Sequence, residues 1–167
     1  MPGLDYPQIP TEKLVELCSR SLYTVDGLWF TAVEQEYGLD AVLKLDEEVW
    51  RWLGLAQAKR VRRGFAIKEA SPVRTVIKML QVDPIMVVYK PEIVALSDNK
   101  AVFRCTDCPP QKARIRDGRG GFPCKPVGIA FFNSYVQATD PTMKLSCLVC
   151  PPDAHPPQYW CEWQVEL

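Results

Sequence analysis

A chain of 167 residues suits one domain and is long enough to bury about two thirds of its unfolded surface in a single core, without staples. Its 20 lysines and arginines equal its 20 aspartates and glutamates, so no whole-molecule field draws it onto nucleic acid or an anionic bilayer. The opening MPGLDYPQIP has neither the basic nor the apolar region of a secretory leader, and no apolar run approaches the roughly 20 residues of a spanning helix; the expectation is a cytoplasmic protein with no membrane partner.

Thr11 is placed to cap a first helix whose apolar positions Leu14, Leu17, Cys18, Leu22, Val25, Trp29 and Val33 recur with a 3.6-residue period, and Gly38 ends it. Cys18, on that stripe, reads as core. Asp40 is the expected N-cap of a second helix running through Ala41, Leu45, Val49, Trp52 and Leu53, bent at Gly54, towards Ile67. Trp50 and Trp52 cannot both face inward on it. Ser71-Pro72 starts a shorter third helix that Asp83-Pro84 stops.

Beyond Pro84 the period becomes two. Residues 85–89, 92–97 and 100–105 read as strands, the last two joined by a turn at Asp98-Asn99. Helical spacing returns over 126–138, with Val127, Phe131 and Tyr135 on one stripe and Asp140-Pro141 at the end. Residues 143–149 and 159–167 are two more strands; in the last, Tyr159, Cys161, Trp163, Val165 and Leu167 face one way and Glu162, Gln164 and Glu166 the other. The expected class is α+β: N-terminal helices followed by an antiparallel sheet with one helix packed on it. One domain covers 1–167, its helical front half about 11–83 and its mixed, cysteine-rich back half about 85–167.

Seven cysteines is an odd number, and in a reducing compartment the Cys-x-x-Cys pairs Cys105/Cys108 and Cys147/Cys150 point to metal or redox chemistry rather than a disulfide framework. Cys124 stands at the entrance of the 126–138 helix, where free N–H groups and the dipole favour a thiolate. Antiparallel pairing of the last two strands folds Cys161 back beside Cys147 and Cys150. Cys124, Cys147, Cys150 and Cys161 then form a C-terminal metal site, four sulfurs able to surround a zinc ion at about 2.3 Å each; in the plainer reading Cys124 and Cys161 are small core hydrophobes. The set Cys105, Cys108, Cys147 and Cys150 would instead suit an iron–sulfur cluster. Cys105 and Cys108 are also candidate catalytic thiols, a nucleophile or a redox couple, because Arg104, Lys112, Arg114 and Arg116 beside them would lower a thiol pKa. The alternative is a turn with a solvated basic face.

On the first helix Asp26, Trp29, Phe30 and Glu34 are helical neighbours, with Val33 beside them. Turned towards the sheet, this surface would give an apolar pocket with a few placed polar groups, the usual build of a small-molecule site. Gly27 costs a helix interior about 1 kcal/mol against alanine, which suits close approach to the backbone there. The competing reading makes the rings packing residues and the carboxylates a solvated edge. His155, the single histidine, lies between two Pro-Pro pairs and becomes a ligand or base only beside a thiolate. GRGGF is followed by Pro123 rather than Lys-Ser/Thr and is not a P-loop. Lys59, Arg60 and RRGF at 62–65 make a short basic face balanced elsewhere by acids, so nucleic acid is not an expected partner.

The segment FPCKPVGIAFFNSYVQATDPTMKLSCLVCPPDAHPPQYWCEW resembles the end of the 4-vinyl reductase domain, a small-molecule-binding module also found as the sensory part of phenol-responsive bacterial activators. That resemblance implies zinc held by a cysteine before a helix, an acidic residue or cysteine some two dozen residues on, a cysteine shortly after, and a last cysteine in a C-x-W/F strand. Those positions fall on Cys124, Cys147, Cys150 and Cys161. Cys147 stands where the phenol sensors have a carboxylate, and the loop 151–159 is longer. Through VDGLWFTAVEQEYG, FRCTDCPPQ, FPCKPVG and CPPD the whole chain resembles a family of uncharacterised bacterial and archaeal cytosolic proteins, itself similar to the L-2-amino-thiazoline-4-carboxylate hydrolases, cysteine-dependent ring-opening enzymes. Together the resemblances imply a ligand-binding domain with a structural four-cysteine zinc site and a homodimer, or alternatively a cysteine-dependent hydrolase or thiol redox protein acting through Cys105 and Cys108.

Overall fold

The computed structural model describes residues 10–167; the opening segment read above for a leader lies outside them. Helix α1 spans Thr11–Tyr37 and α2 spans Leu39–Gly64. Gly38 separates them, its N–H closing α1 on the Glu34 carbonyl at 2.9 Å. Thr11 lies inside α1 and caps nothing by its side chain, and Asp40 sits in the first turn of α2 rather than at its cap. Helix α3, Pro72–Val82, starts as expected: Ser71 Oγ accepts the Arg74 N–H at 3.2 Å and Pro72 needs no partner for its nitrogen.

Both long helices are turned about their axes from the faces their apolar periods select. Helix α1 buries Ser19, Tyr23 and Phe30, while Leu14, Leu17, Cys18, Leu22, Val25 and Trp29 are exposed. Helix α2 buries Val42, Asp46, Trp50, Gly54, Ala58 and Val61, with Leu45, Val49 and Trp52 outside. Cys18 and Trp29 are therefore surface residues, not core. Of the two tryptophans flanking Arg51, Trp50 is the inward one. The rotation follows from α5, Lys125–Thr139, on which α2 lies with Gly54 at the crossing. A Cβ on Gly54 would stand 2.8 Å from Ser134 Cβ and 2.9 Å from the Phe131 carbonyl oxygen, so glycine there permits close helix packing and not a bend.

Residues 85–89 form a 3-10 helix, Pro84–Tyr89, where a strand was expected. Asp83 overrides the β-branched run. Its Oδ1 accepts the Ile85 N–H and the Gln57 amide, both at 2.9 Å, and its other oxygen accepts the Tyr135 hydroxyl. Strands β1 (Pro91–Leu96) and β2 (Lys100–Cys105) are joined by the expected Asp98-Asn99 turn, with the Ser97 N–H on the Lys100 carbonyl at 2.8 Å. A helix the sequence reading lacked, α4 (Pro109–Arg116), follows. Strands β3 (Lys144–Val149) and β4 (Cys161–Glu166) complete a four-stranded antiparallel sheet of order β1-β2-β4-β3. The chain is thus α+β, helices followed by an antiparallel sheet, with α5 packed between α2 and that sheet. An aromatic ladder marks the layer: Trp50 on Phe131 at 5.4 Å, Phe131 on Phe132 at 5.3 Å, and Phe132 on Trp163 at 4.9 Å.

Candidate functional site

A cavity of about 520 Å³ opens between α1, α2, α4, α5 and the sheet, within the size range of sites for small organic molecules. Its wall on α1 and α2 carries Tyr23, Asp26, Phe30, Asp46 and Trp50; its floor carries Cys105, Cys108, Cys124, Cys150 and Cys161 with Trp163. Inward rotation of α1 brings Tyr23, Asp26 and Phe30 to face the cavity.

The wall is a carboxylate pair in an aromatic setting. Tyr23 stacks on Trp50 at 5.6 Å between ring centres and meets Tyr89 edge-on at 5.1 Å. Burial pushes the Asp26 carboxyl up to about 6 and that of Asp46 up to about 7. The Asp26 charge adds to the shift of Asp46, and hydrogen bonding from Trp50 opposes both. Every arginine that lines the cavity has an acidic partner: Arg20 with Glu16, Arg114 and Arg119 with Glu34, Arg116 with Asp117. Neither Asp26 nor Asp46 has a basic one among the described residues, and no cation contributes to their shifts.

The floor satisfies itself through sulfur. Antiparallel β2 and β4 place Cys105 directly opposite Cys161. Cys124 Sγ lies 3.7 Å from Cys150 Sγ, because the Lys125 N–H binds the Pro151 carbonyl at 3.1 Å and its ammonium binds Asp153 at 2.7 Å. Hydrogen bonds from Cys105 and Cys150 hold Cys161 well below the usual thiol range, and the bond from Cys150, with help from Gln111, lowers Cys124. Cys105 and Cys150 are pushed up in return. Gln111, 1% exposed, is a residue the sequence reading missed. Its amide donates to the Phe122 carbonyl at 2.7 Å and to Cys124 Sγ at 3.3 Å, and its oxygen accepts the Phe122 N–H at 3.0 Å. Pro109-Pro110 followed by helix formers was the available signal for α4 and hence for Gln111.

Of the expected metal ligands Cys124, Cys147, Cys150 and Cys161, three face the cavity. Cys147 does not. It pairs across the ladder with Trp163, and burial raises its thiol to about 11. Cys150 does meet Cys161, as expected; but β4 lies between β2 and β3, so Cys105 from β2 joins them where Cys147 was expected, an arrangement that pairing the last two strands alone could not disclose. Among the described residues no three His, Cys, Asp or Glu side chains form a group able to hold a metal ion.

The activating charge expected at Cys105 and Cys108 is engaged elsewhere. Arg104 pairs with Glu162 at 2.8 Å, Lys112 with Asp107 at 2.6 Å, Arg114 with Glu34 at 2.6 Å and Arg116 with Asp117 at 3.0 Å. Both thiols are buried and raised, Cys105 chiefly by its hydrogen bond to Cys161 and Cys108 by burial, the reverse of what a nucleophile needs. Of the expected ligand surface, Asp26 and Phe30 line the cavity. Trp29 is 70% exposed, and Glu34 is held in the bidentate pair with Arg114. His155 lies against Trp160, ring centres 4.9 Å apart and planes tilted by 38°, and is not part of the cavity lining.

Residues 9–167 match a family of unknown function, DUF6125, and the chain belongs to that family. No curated protein and no solved structure matches it. No helix among the described residues is long and apolar enough to cross a membrane.

Proposed function

We propose that this chain is a cytoplasmic small-molecule-binding domain of the 4-vinyl reductase type, its ligand seated between α1, α2, α5 and the sheet. The supporting observation is a cavity of about 520 Å³ in which aromatic rings, two carboxylates and five thiols converge from both halves of the chain. The test is a fragment screen by NMR on the reduced chain. Bound fragments should shift side-chain signals of Trp50 and Phe131 and leave the exposed Trp29 and Trp52 unmoved. Shifts confined to the outer tryptophans, or no binding at all, would defeat the reading.

The cofactor proposed for the floor is structural zinc, held by Cys124, Cys150, Cys161 and a fourth thiol, Cys105 or Cys147. In its support, the 3.7 Å between Cys124 and Cys150 matches the edge of about 3.8 Å in a tetrahedron of roughly 2.3 Å Zn–S bonds. Against it stands the lack of any assembled metal-binding group among the described residues, so no part of the ligand-binding reading is routed through the ion. Protein purified without chelator should carry close to one zinc; less than about a tenth of an equivalent sinks the ion and leaves the cavity reading intact.

The proposed partner is a second copy. Leu14, Leu17, Val25, Trp29, Leu45, Val49 and Trp52 leave apolar side chains on α1 and α2 that nothing among the described residues covers. Light scattering should give twice the chain mass, and Leu17→Glu, at a 60%-exposed position outside the cavity, should return it to one.

A further inference from the structure

We infer that the cavity's ligand is an organic cation, an ammonium or amidinium group on an apolar ring-sized body, held by Asp26 and Asp46 against the faces of Tyr23 and Trp50. The inference rests on the small-molecule reading of this cavity and gives that ligand its charge. Four arginines line the same cavity, and each is already engaged by an acid of its own surroundings, Arg20 by Glu16, Arg116 by Asp117, and Arg114 and Arg119 by a shared Glu34. The two aspartates are not. Asp46 is 9% exposed and has no cation beside it; Asp26 approaches from the neighbouring helix, close enough for their charges to interact. Two carboxylates turned into a largely apolar cavity without a counter-ion are costly to the empty protein, and a ligand cation removes that cost.

The surroundings suit such a guest independently of the acids. Tyr23 and Trp50 lie nearly parallel, 14° apart, and Tyr89 closes on Tyr23 edge-on at 88°. Electron-rich ring faces beside a carboxylate are the usual setting for an ammonium or amidinium group. Opposite, Trp163 forms part of the cavity lining at 1% exposure. Its indole N–H meets no nitrogen or oxygen acceptor and has only the Cys161 sulfur near it, a weakly used donor in the cavity lining, while its ring offers the ligand's body an apolar surface.

The test uses the full chain, reduced and with whatever metal it carries as purified. Benzylamine, benzamidine, benzyl alcohol and benzoate share one ring body and differ in charge; their binding is measured by NMR at millimolar concentration. Benzylammonium or benzamidinium should bind at least about tenfold more tightly than benzyl alcohol, and benzoate should bind least. Asp46→Asn, and separately Asp26→Asn, should remove the cation's advantage over benzyl alcohol. Circular dichroism verifies the fold of each variant, and the two variants stand in for one another if either fails to fold. If benzoate or the alcohol equals the cations, or both variants keep the preference, the inference fails while the ligand-binding reading survives. If none of the four binds, both fail.

Discussion

The two sides of the cavity solve the burial of polar groups in opposite ways. On the floor, Cys124 and Cys150 lie 3.7 Å apart, Cys105 stands opposite Cys161, and Gln111 donates to Cys124, so the thiols find their polar partners in one another. On the wall, Asp26 and Asp46 confront each other with the Trp50 indole as their main protein donor. A side whose polar groups meet one another, around a structural ion or without it, contributes to folding. A side left with uncompensated charge is built for something that arrives later, since an unpaired buried carboxylate weakens the empty fold.

The largest expected effect comes from breaking the floor's scaffold. Gly128 of α5 lets Trp163 lie flat: a Cβ there would stand 2.8 Å from two atoms of the indole, which is 1% exposed and backed by Phe132. The ring cannot retreat, so Gly128→Ala should cost about 3 kcal/mol, read as a lower urea midpoint at unchanged slope.

The wall should respond with the opposite sign. Burial raises the Asp46 carboxyl above its unfolded value, so the folded state holds the proton more tightly and stability falls as pH climbs from about 4 to about 7. Asp46→Asn removes that loss. It should stabilise the protein by of the order of 2 kcal/mol at about pH 8 and by almost nothing below about pH 4, in paired thermal melts. A smaller effect concerns the ligand. The groups whose charge or hydrogen bonds bear on the pair are the two acids themselves, the Trp50 N–H and the Tyr23 hydroxyl, which burial keeps protonated. A cation favours the ionised pair. Benzylammonium affinity should therefore rise about tenfold between about pH 5 and about pH 8, with proton release seen by calorimetry in buffers of different ionisation heat.

Element types were largely legible in the sequence, because turn and cap chemistry is local: Gly38, Ser71-Pro72, Asp98-Asn99 and Asp140 all stand at element ends. The facing of α1 and α2 was not. Their strongest apolar stripes point away from this chain's own core, and a period cannot say whether an apolar stripe meets its own core or another surface. Hence Trp29 and Cys18 were placed inside, while Asp46, a charged residue on the weaker stripe, went unnoticed. Residues 85–89 failed for a related reason: the side chain of Asp83 decides the local hydrogen bonding, and β-branched composition cannot register that. The thiols converged as their spacing suggested, but which ones met depended on strand order, a property of the whole sheet.

The smallest expected effect separates two cysteines that sequence treats alike. Cys147 and Cys105 each open a Cys-x-x-Cys pair at a strand end, yet β4 turns Cys105 against Cys161 and leaves Cys147 opposite Trp163, outside the cavity. Cys105→Ser replaces a 1%-exposed donor in the sulfur chain and should cost about 1 kcal/mol. Cys147 is only half-buried and its hydrogen bond with Cys150 is the least of the influences on its thiol, so Cys147→Ser should cost no more than about 0.5 kcal/mol. Zinc content and thiol titration of the same two variants extend the contrast. If Cys147→Ser releases metal and Cys105→Ser does not, the fourth ligand comes from β3, and the floor closes around its ion by a movement of that edge strand; if the reverse, β2 supplies it where it already stands.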